Sequence, residues 1–275
     1  MTTSNPLVRV SAVIAAAAIA TQIVYPLVDG RARDVVTVAV VALLAAASIV
    51  HAVGTRGARW AAGMVPATAG IGLVSEVVGT ATGFPYGCYE YATDRLGWAV
   101  ADVPWVVPFA WTAGFYPVWC AASLVTRRRL PRIVLTTVGV VGWDLFLDPQ
   151  MVADGQWHWC VTDAGLPGIA HIPLTNYAGW VLVAAVMTVL VDALDRRHAP
   201  APTSPGRDAV PIALFLWTWL GSALAHAVFL DAPELRYSAV YGSVAMGVVG
   251  IPLLLRLSRL YRREERTESD NTPAA

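Results

Sequence analysis

Eight apolar stretches divide this chain almost end to end: roughly 7–28, 35–54, 61–79, 103–125, 131–149, 177–194, 209–230 and 237–257. Each is close to the ~20 residues with which an α-helix crosses a bilayer. The bilayer interior offers no water to backbone amides, so a spanning stretch must bond to itself, and the helix is the default solution. The expected fold is therefore all-α, a polytopic transmembrane helical bundle of about eight helices. An ordinary soluble domain is excluded on the same ground, because 56% of the residues are hydrophobic and only 14% charged. One integral membrane domain over 1–260 is expected, followed by a polar, disordered tail over 261–275. The first stretch is too long, and too poorly marked at its end, for a cleaved signal. Pro104, Pro108 and Pro117 predict a kinked fourth helix. The fifth and sixth helices are the least sharply bounded, since both border the polar stretch 148–176.

All 19 basic residues are arginine, which removes Schiff-base and lysine-base mechanisms. On one side of the expected topology lie Arg9, Arg56, Arg59, Arg127, Arg128, Arg129, Arg132, Arg196, Arg197, Arg207 and five more from Arg256 to Arg266. Arg31, Arg33, Arg95 and Arg236 lie on the other. Fifteen against four predicts that both termini are cytoplasmic, as an even number of helices requires. The expected location is the cell membrane, with multiple passes. A formal net charge of zero gives no field for a nucleic-acid partner.

Several acids stand inside or beside the apolar stretches, where ionised groups are expensive and usually functional. Glu76 lies in the third, and Asp144 and Asp148 lie four apart on one face of the fifth. Asp102 opens the fourth, and Thr218, Ser222 and His226 form a polar stripe on the seventh. The expected topology brings these groups to one leaflet. Singly, each has a plainer role as a hydrogen bond between helices. Together they suit acid chemistry, because an apolar pocket disfavours the charged carboxylate and keeps an acid protonated near neutral pH. A second, ionised carboxylate could then stabilise a developing cation.

Two connections are long, 80–102 and 149–176, and both are expected on the outer side. Eight of the 11 tryptophans fall between 98 and 180: Trp98, Trp105, Trp111, Trp119, Trp143, Trp157, Trp159 and Trp180. An interfacial belt is the plain reading, but a belt should mark both faces, so the concentration also suggests aromatic walls around a long apolar ligand. His158, Cys160, Asp163 and His171 share a loop at no recognised zinc spacing, and no metal site is expected. Cys88 and Cys160 could pair in an oxidising compartment or remain thiols. The linker 195–208 is rich in Pro, Ser and Gly and is expected to be flexible.

The stretches EVVGTATGFPYGCYEY (76–91), VPWVVPFAW (103–111), WDLFLDPQMVADGQWHW (143–159) and GIAHIPLTNYAGW (168–180) resemble the carotenoid biosynthesis membrane family, the CruF-type carotenoid 1,2-hydratases and bisanhydrobacterioruberin hydratases. The likeness is strongest over about 70–195. It rests on Glu76, Thr82, Gly83, Pro85, Gly87, Asp144, Asp148, Pro149, Asn176, Gly179 and Trp180, with Tyr86 and Tyr177 where phenylalanine is expected. The resemblance implies a hydro-lyase that needs no cofactor and adds water across the C-1,2 double bond of an acyclic carotenoid ψ-end. Protonation at C-2 would give a tertiary cation at C-1, and water would capture it. On our reading Glu76 or Asp144 donates the proton, its partner stabilises the cation, and Asp148, Asn176 or His226 places the water. Trp111, Trp143, Trp157, Trp159 and Trp180 would bind substrate. The expected partners are the carotenoid within the bilayer and neighbouring pathway enzymes.

Two other classes compete. Asp144 and Asp148 form an Asp-x-x-x-Asp pair, as in Mg²⁺-dependent membrane prenyltransferases, but the long loops offer only Arg95 to a diphosphate. A non-catalytic carotenoid or lipid carrier, or an assembly factor, would need the apolar cavity and no acid. A transporter would need paired broken helices, which the pattern lacks.

Overall fold

The computed structural model describes residues 5–92, 94–162 and 164–270, with the backbone alone from 263. Among these are eight helices, one for each apolar stretch: α1 Pro6–Leu27, α2 Gly30–Arg56, α3 Ala58–Thr82, α4 Val107–Val125, α5 Arg129–Ala153, α6 Leu174–His198, α7 Ala209–Phe229 and α8 Leu235–Asp270. Seven are long and apolar enough to cross a membrane. The exception is α4, in which 15 of 19 residues are buried. It contacts α2, α5, α7 and α8 and so forms the bundle's axis. A helix whose neighbours are protein on most sides need not be as lipophilic as one facing lipid, and α4 carries Trp, Tyr and Pro instead of aliphatic residues.

Proline shapes three of these helices in different ways. Pro104 precedes α4 altogether and sits in a short strand, while Pro117 lies inside α4. Pro66 opens a π-helical turn, Pro66–Gly70, in the middle of α3; such turns are uncommon and cluster at functional sites. Pro149 does not end α5, which continues to Ala153. Its missing N–H frees the carbonyl of Leu145, and the Ser238 hydroxyl of α8 donates to that oxygen at 2.6 Å. The helix is thus carried past Asp148 with its backbone satisfied from a neighbour.

The two long connections form one layer over one end of the bundle. Strand β1 (Tyr89–Tyr91) pairs antiparallel with β4 (Trp157–Trp159), and the disulfide Cys88–Cys160 closes the end of that pair. Strands β2 (Ala99–Val100) and β3 (Val103–Pro104) form one hairpin, and β5 (Gly165–Leu166) and β6 (Ile169–Pro173) another. Asp102 is in the first hairpin turn, exposed and at φ 64°, a conformation that aspartate tolerates. It is a turn residue and does not join the buried acids. Ion pairs tie the layer to the start of α2: Arg95 meets Asp34 at 2.6 Å, and Gln156 donates to Asp34 at 2.7 Å and to Asp154 at 2.8 Å.

The opposite end is bound by arginine. Arg56 of α2 is buried against Asp208 at 3.3 Å, and its guanidinium lies over the rings of Trp60 and Tyr116. Asp208 accepts the backbone N–H of Ser204, and Thr203 donates to the carbonyl of Ser123. The linker expected to be flexible is therefore pinned in place. The tail placed from 261 onward is helical as far as Asp270, and 271–275 lie outside the described residues.

Close helix approach depends on glycine at Gly114 of α4, where a Cβ would fall inside the Trp143 ring. Gly114→Ala should therefore lower stability by about 1–3 kcal/mol through overpacking. Its thermal midpoint in detergent should fall relative to Gly206→Ala, where an added Cβ meets nothing.

Candidate active site

Below the loop layer lies a cavity of about 390 Å³, with α2, α3, α4, α5, α6 and α7 all contributing to its wall. Its inner end is acidic and its sides are aromatic. Glu76 reaches it from α3, one turn beyond the π-helical segment, and is 4% exposed. Three donors hold this carboxylate. The phenols of Tyr89 and Tyr91 donate to Oε2 at 2.6 and 2.8 Å, and the Trp111 indole donates to Oε1 at 3.1 Å. Burial, and then the neighbouring Glu76 charge, push both phenols well above the ordinary tyrosine value. They stay protonated and act as donors over any physiological pH.

The second acidic group is on α5. Asp148 lines the cavity; Asp144, one turn earlier, lies behind it and is fully buried. The two carboxyls lie one helical turn apart on the same face of α5. Asn176 of α6 binds both, its amide donating to Oδ2 of Asp148 and, at 3.4 Å, to Oδ2 of Asp144. Oδ1 of Asp144 has no hydrogen-bond partner among the described residues. Pro173, which precedes α6, starts the helix where β6 ends, so Asn176 sits in the first turn and points into the bundle.

The five tryptophans expected at the ligand, Trp111, Trp143, Trp157, Trp159 and Trp180, all line this cavity. Trp111 stacks on Trp180 with ring centroids 3.8 Å apart, and Trp143 meets Trp180 edge-on at 6.0 Å. Trp157 and Trp159 are two apart in β4, so one strand face presents both. Their partners across the ladder, Tyr91 and Tyr89, project the same way. Trp119 lies elsewhere, under the Arg132 guanidinium at 4.4 Å, and Trp98 and Trp105 stack on each other in the loop layer.

His226 does not line the cavity. It is fully buried in a π-helical turn of α7, between Ser238 at 2.9 Å and Gln150 at 3.0 Å. Gln150 does line it, as does Phe146, which meets His226 edge-on at 5.3 Å, so His226 touches the cavity wall from behind. Tyr89, Tyr91 and Gln150 are site residues that sequence reasoning passed over. The signal for the tyrosines was the alternation in Tyr89-Glu90-Tyr91, which puts both on one face of a strand. Gln150 had no signal, since its orientation depends on α5 continuing past Pro149. Cys160 is half of a disulfide and so is not a free thiolate, and Asp163 lies outside the described residues. No group of three His, Cys, Asp or Glu among the described residues is arranged to hold a metal.

Residues 34–249 match the family described as carotenoid biosynthesis protein. The chain belongs to this family. With seven helices able to span, it is a multi-pass membrane protein. A curated relative, the bisanhydrobacterioruberin hydratase of Haloarcula japonica, is 32% identical over 145 residues. That match covers 47% of this chain and 46% of the relative, so about half of each protein is compared. No solved structure gives a match.

Removing one phenol should leave the Glu76 carboxylate short of a donor. Tyr91→Phe is expected to cost about 1–3 kcal/mol of stability, read as a lower thermal midpoint. Tyr237→Phe, at an exposed ring without a hydrogen bond to any acid, should leave it unchanged.

Proposed function

We propose that this protein hydrates the C-1,2 double bond of an acyclic carotenoid ψ-end and leaves a tertiary hydroxyl at C-1. The observation that carries this reading is an acidic pair on the wall of an otherwise aromatic cavity. Two buried carboxyls one turn apart, joined by the Asn176 amide and met by no cation, cannot both carry a charge cheaply, so Asp144 and Asp148 together form a buried proton store. Asp148, the member that lines the cavity, delivers the proton to C-2. The alkene π electrons form the new C–H bond, and the cation develops at C-1.

Glu76 is built for the opposite task. Its three donors all favour the carboxylate against the burial that disfavours it, and a negative charge in a water-poor cavity stabilises a nearby cation more strongly than in water. The faces of Trp111 and Trp180 add cation–π attraction. Water then bonds to C-1, and its excess proton passes to the Asp148 carboxylate, which restores the acid. The net change is one water added, with no electron transferred and no cofactor required. Asn176 aligns the pair. Gln150, fixed by His226, offers a hydrogen bond to the attacking water.

The Haloarcula relative is named a bisanhydrobacterioruberin hydratase, which supports hydration as the reaction type. The prenyltransferase alternative is disfavoured because no arginine lines the cavity, so a diphosphate would find no positive partner there. A carrier would use the same aromatic walls, yet would have no use for paired carboxyls, whose burial is expensive.

Expression in a lycopene-producing bacterium tests the reading. Mass spectrometry of the pigments should show a product heavier by one water. Asp148→Asn and Glu76→Gln should each cut its formation by at least about a hundredfold. Normal hydration by both variants, correctly inserted, would sink the assignment. Pigment bound by the native chain without conversion would favour the carrier.

We further propose that the loop layer faces the outer, oxidising side of the cell membrane, with both termini inside. The disulfide in that layer and the arginine asymmetry support it. In intact cells a membrane-impermeant maleimide should label Cys88 and Cys160 only after treatment with an impermeant reductant. Labelling without reductant would show free thiols, and labelling only after lysis would reverse the orientation.

A further inference from the structure

The acidic cavity does not end at its tryptophans. Its lining extends to the last turns of α1, with Ile23 and Leu27, and to the end of α7, with Leu224 and Phe229. All four line the cavity and all four are exposed, Leu27 at 74% and Phe229 at 56%. Their helices are among those able to span the membrane, where exposed apolar side chains are expected to face lipid. Across this mouth the Trp217 indole donates to Oε1 of Gln22 at 2.9 Å, joining α7 to α1. Both residues line the cavity, and neither belongs to the acidic centre.

We propose that this cleft is the substrate portal, and that it takes the apolar body of a linear polyene directly from the bilayer, with the Gln22–Trp217 hydrogen bond as its latch. The inference rests on the hydratase reading for what happens at the inner end. It adds where the substrate comes from and what holds its length. Three observations carry it. First, the apolar arm is continuous with the acidic end, so a chain lying in one places its terminus at the other. Second, a cavity of about 390 Å³ accommodates an end group and the adjoining segment, whereas a polyene of membrane-spanning length must leave part of itself outside. That outer part requires hydrocarbon, which the α1–α7 mouth adjoins. Third, the alternative route through the loop layer is crossed by the β1–β4 ladder, its disulfide and the ion pairs of Asp34 and Asp154.

The latch suits this role chemically. A lone neutral hydrogen bond contributes only about 1 kcal/mol, so it can open on each turnover. It also satisfies both polar groups when closed, at a depth where unpaired ones are costly.

The test uses the full chain in lipid nanodiscs, with lycopene as the probe dissolved in the bilayer. Gln22→Cys and Trp217→Cys are combined and bridged with a short bismaleimide. Cys120 is buried and the other two cysteines are paired, so the reagent is directed to the new positions. Two quantities are read, pigment retained by the protein and hydrated product. The unbridged double variant should retain pigment, and bridging should reduce retention at least about tenfold. Leu27→Glu provides an independent check. Its side chain is exposed, so folding is expected to survive, and a charge at the mouth should also lower retention about tenfold. Equal retention with and without the bridge, or with Glu at 27, would overturn the portal. Retention that the bridge abolishes, with no hydration in either form, would uphold the portal and refute the hydratase reading instead.

Discussion

The arrangement depends on one buried carboxylate and the donors that accompany it. Glu76 lies in a helix able to span the membrane, where an unsatisfied charge would cost several kcal/mol. The helices alone do not satisfy it. Trp111 supplies one donor from α4, and the other two come from Tyr89 and Tyr91 outside the helical bundle. The loop layer therefore has to exist and has to be rigid. Its strand pairing, disulfide and the ion pairs to α2 all fix the strand that carries those two phenols. A loop of this length without such fixation would lose its donors to water part of the time, and the helix carrying Glu76 would lose its reason to pack.

The two ends of the bundle solve the same problem differently. At the far end, buried Arg56 is matched by Asp208, and Asp192 is matched by Arg129 and Arg132, so opposite charges meet directly. At the cavity end no cation meets Glu76, Asp144 or Asp148; their partners are neutral phenols, an indole and an amide. Salt-bridged acids are held in one protonation state and do little chemistry. Acids with neutral partners keep the ability to gain or release a proton, and they leave a net demand for positive charge in the cavity. A carbocation would meet that demand transiently, which is the electrostatic core of the proposed mechanism.

The helices were legible because bilayer thickness dictates their length, and each apolar stretch became one helix. The acids were legible because Glu76, Asp144 and Asp148 are conspicuous against apolar neighbours, and Asn176 and the five tryptophans came with the same motifs. What could not be read is what depends on contacts distant in sequence. Pro149 looked like a helix end, and only the Ser238 hydroxyl from α8 shows why α5 continues. Asp102 looked as buried as Asp148, but two residues with positive φ turn it out into a hairpin. His226 had the right spacing on its helix, yet the π-helical turn rotates it toward Ser238 and Gln150 and away from the cavity. Helical periodicity predicts a face only where the helix keeps its period.

The chemistry proposed here also constrains where such a site can be built. Protonating an alkene needs a strong local acid, and bulk water would level that acid and capture the cation at random. A site deep in hydrocarbon would avoid this but would lack the one water that is consumed. On the proposed reading the cavity lies between these extremes, with its acidic end next to Tyr89 and Tyr91 of the loop layer and its apolar arm lined by the ends of α1 and α7. Tyr89, Tyr91, Trp157 and Trp159 form the barrier between the two media, and they belong to the same paired strands that hold Glu76. One small sheet therefore sets the charge of the site and limits its access to water. A substitution that loosened the sheet would alter both together: the acid would weaken as water entered, and the aromatic wall that guides the polyene would open.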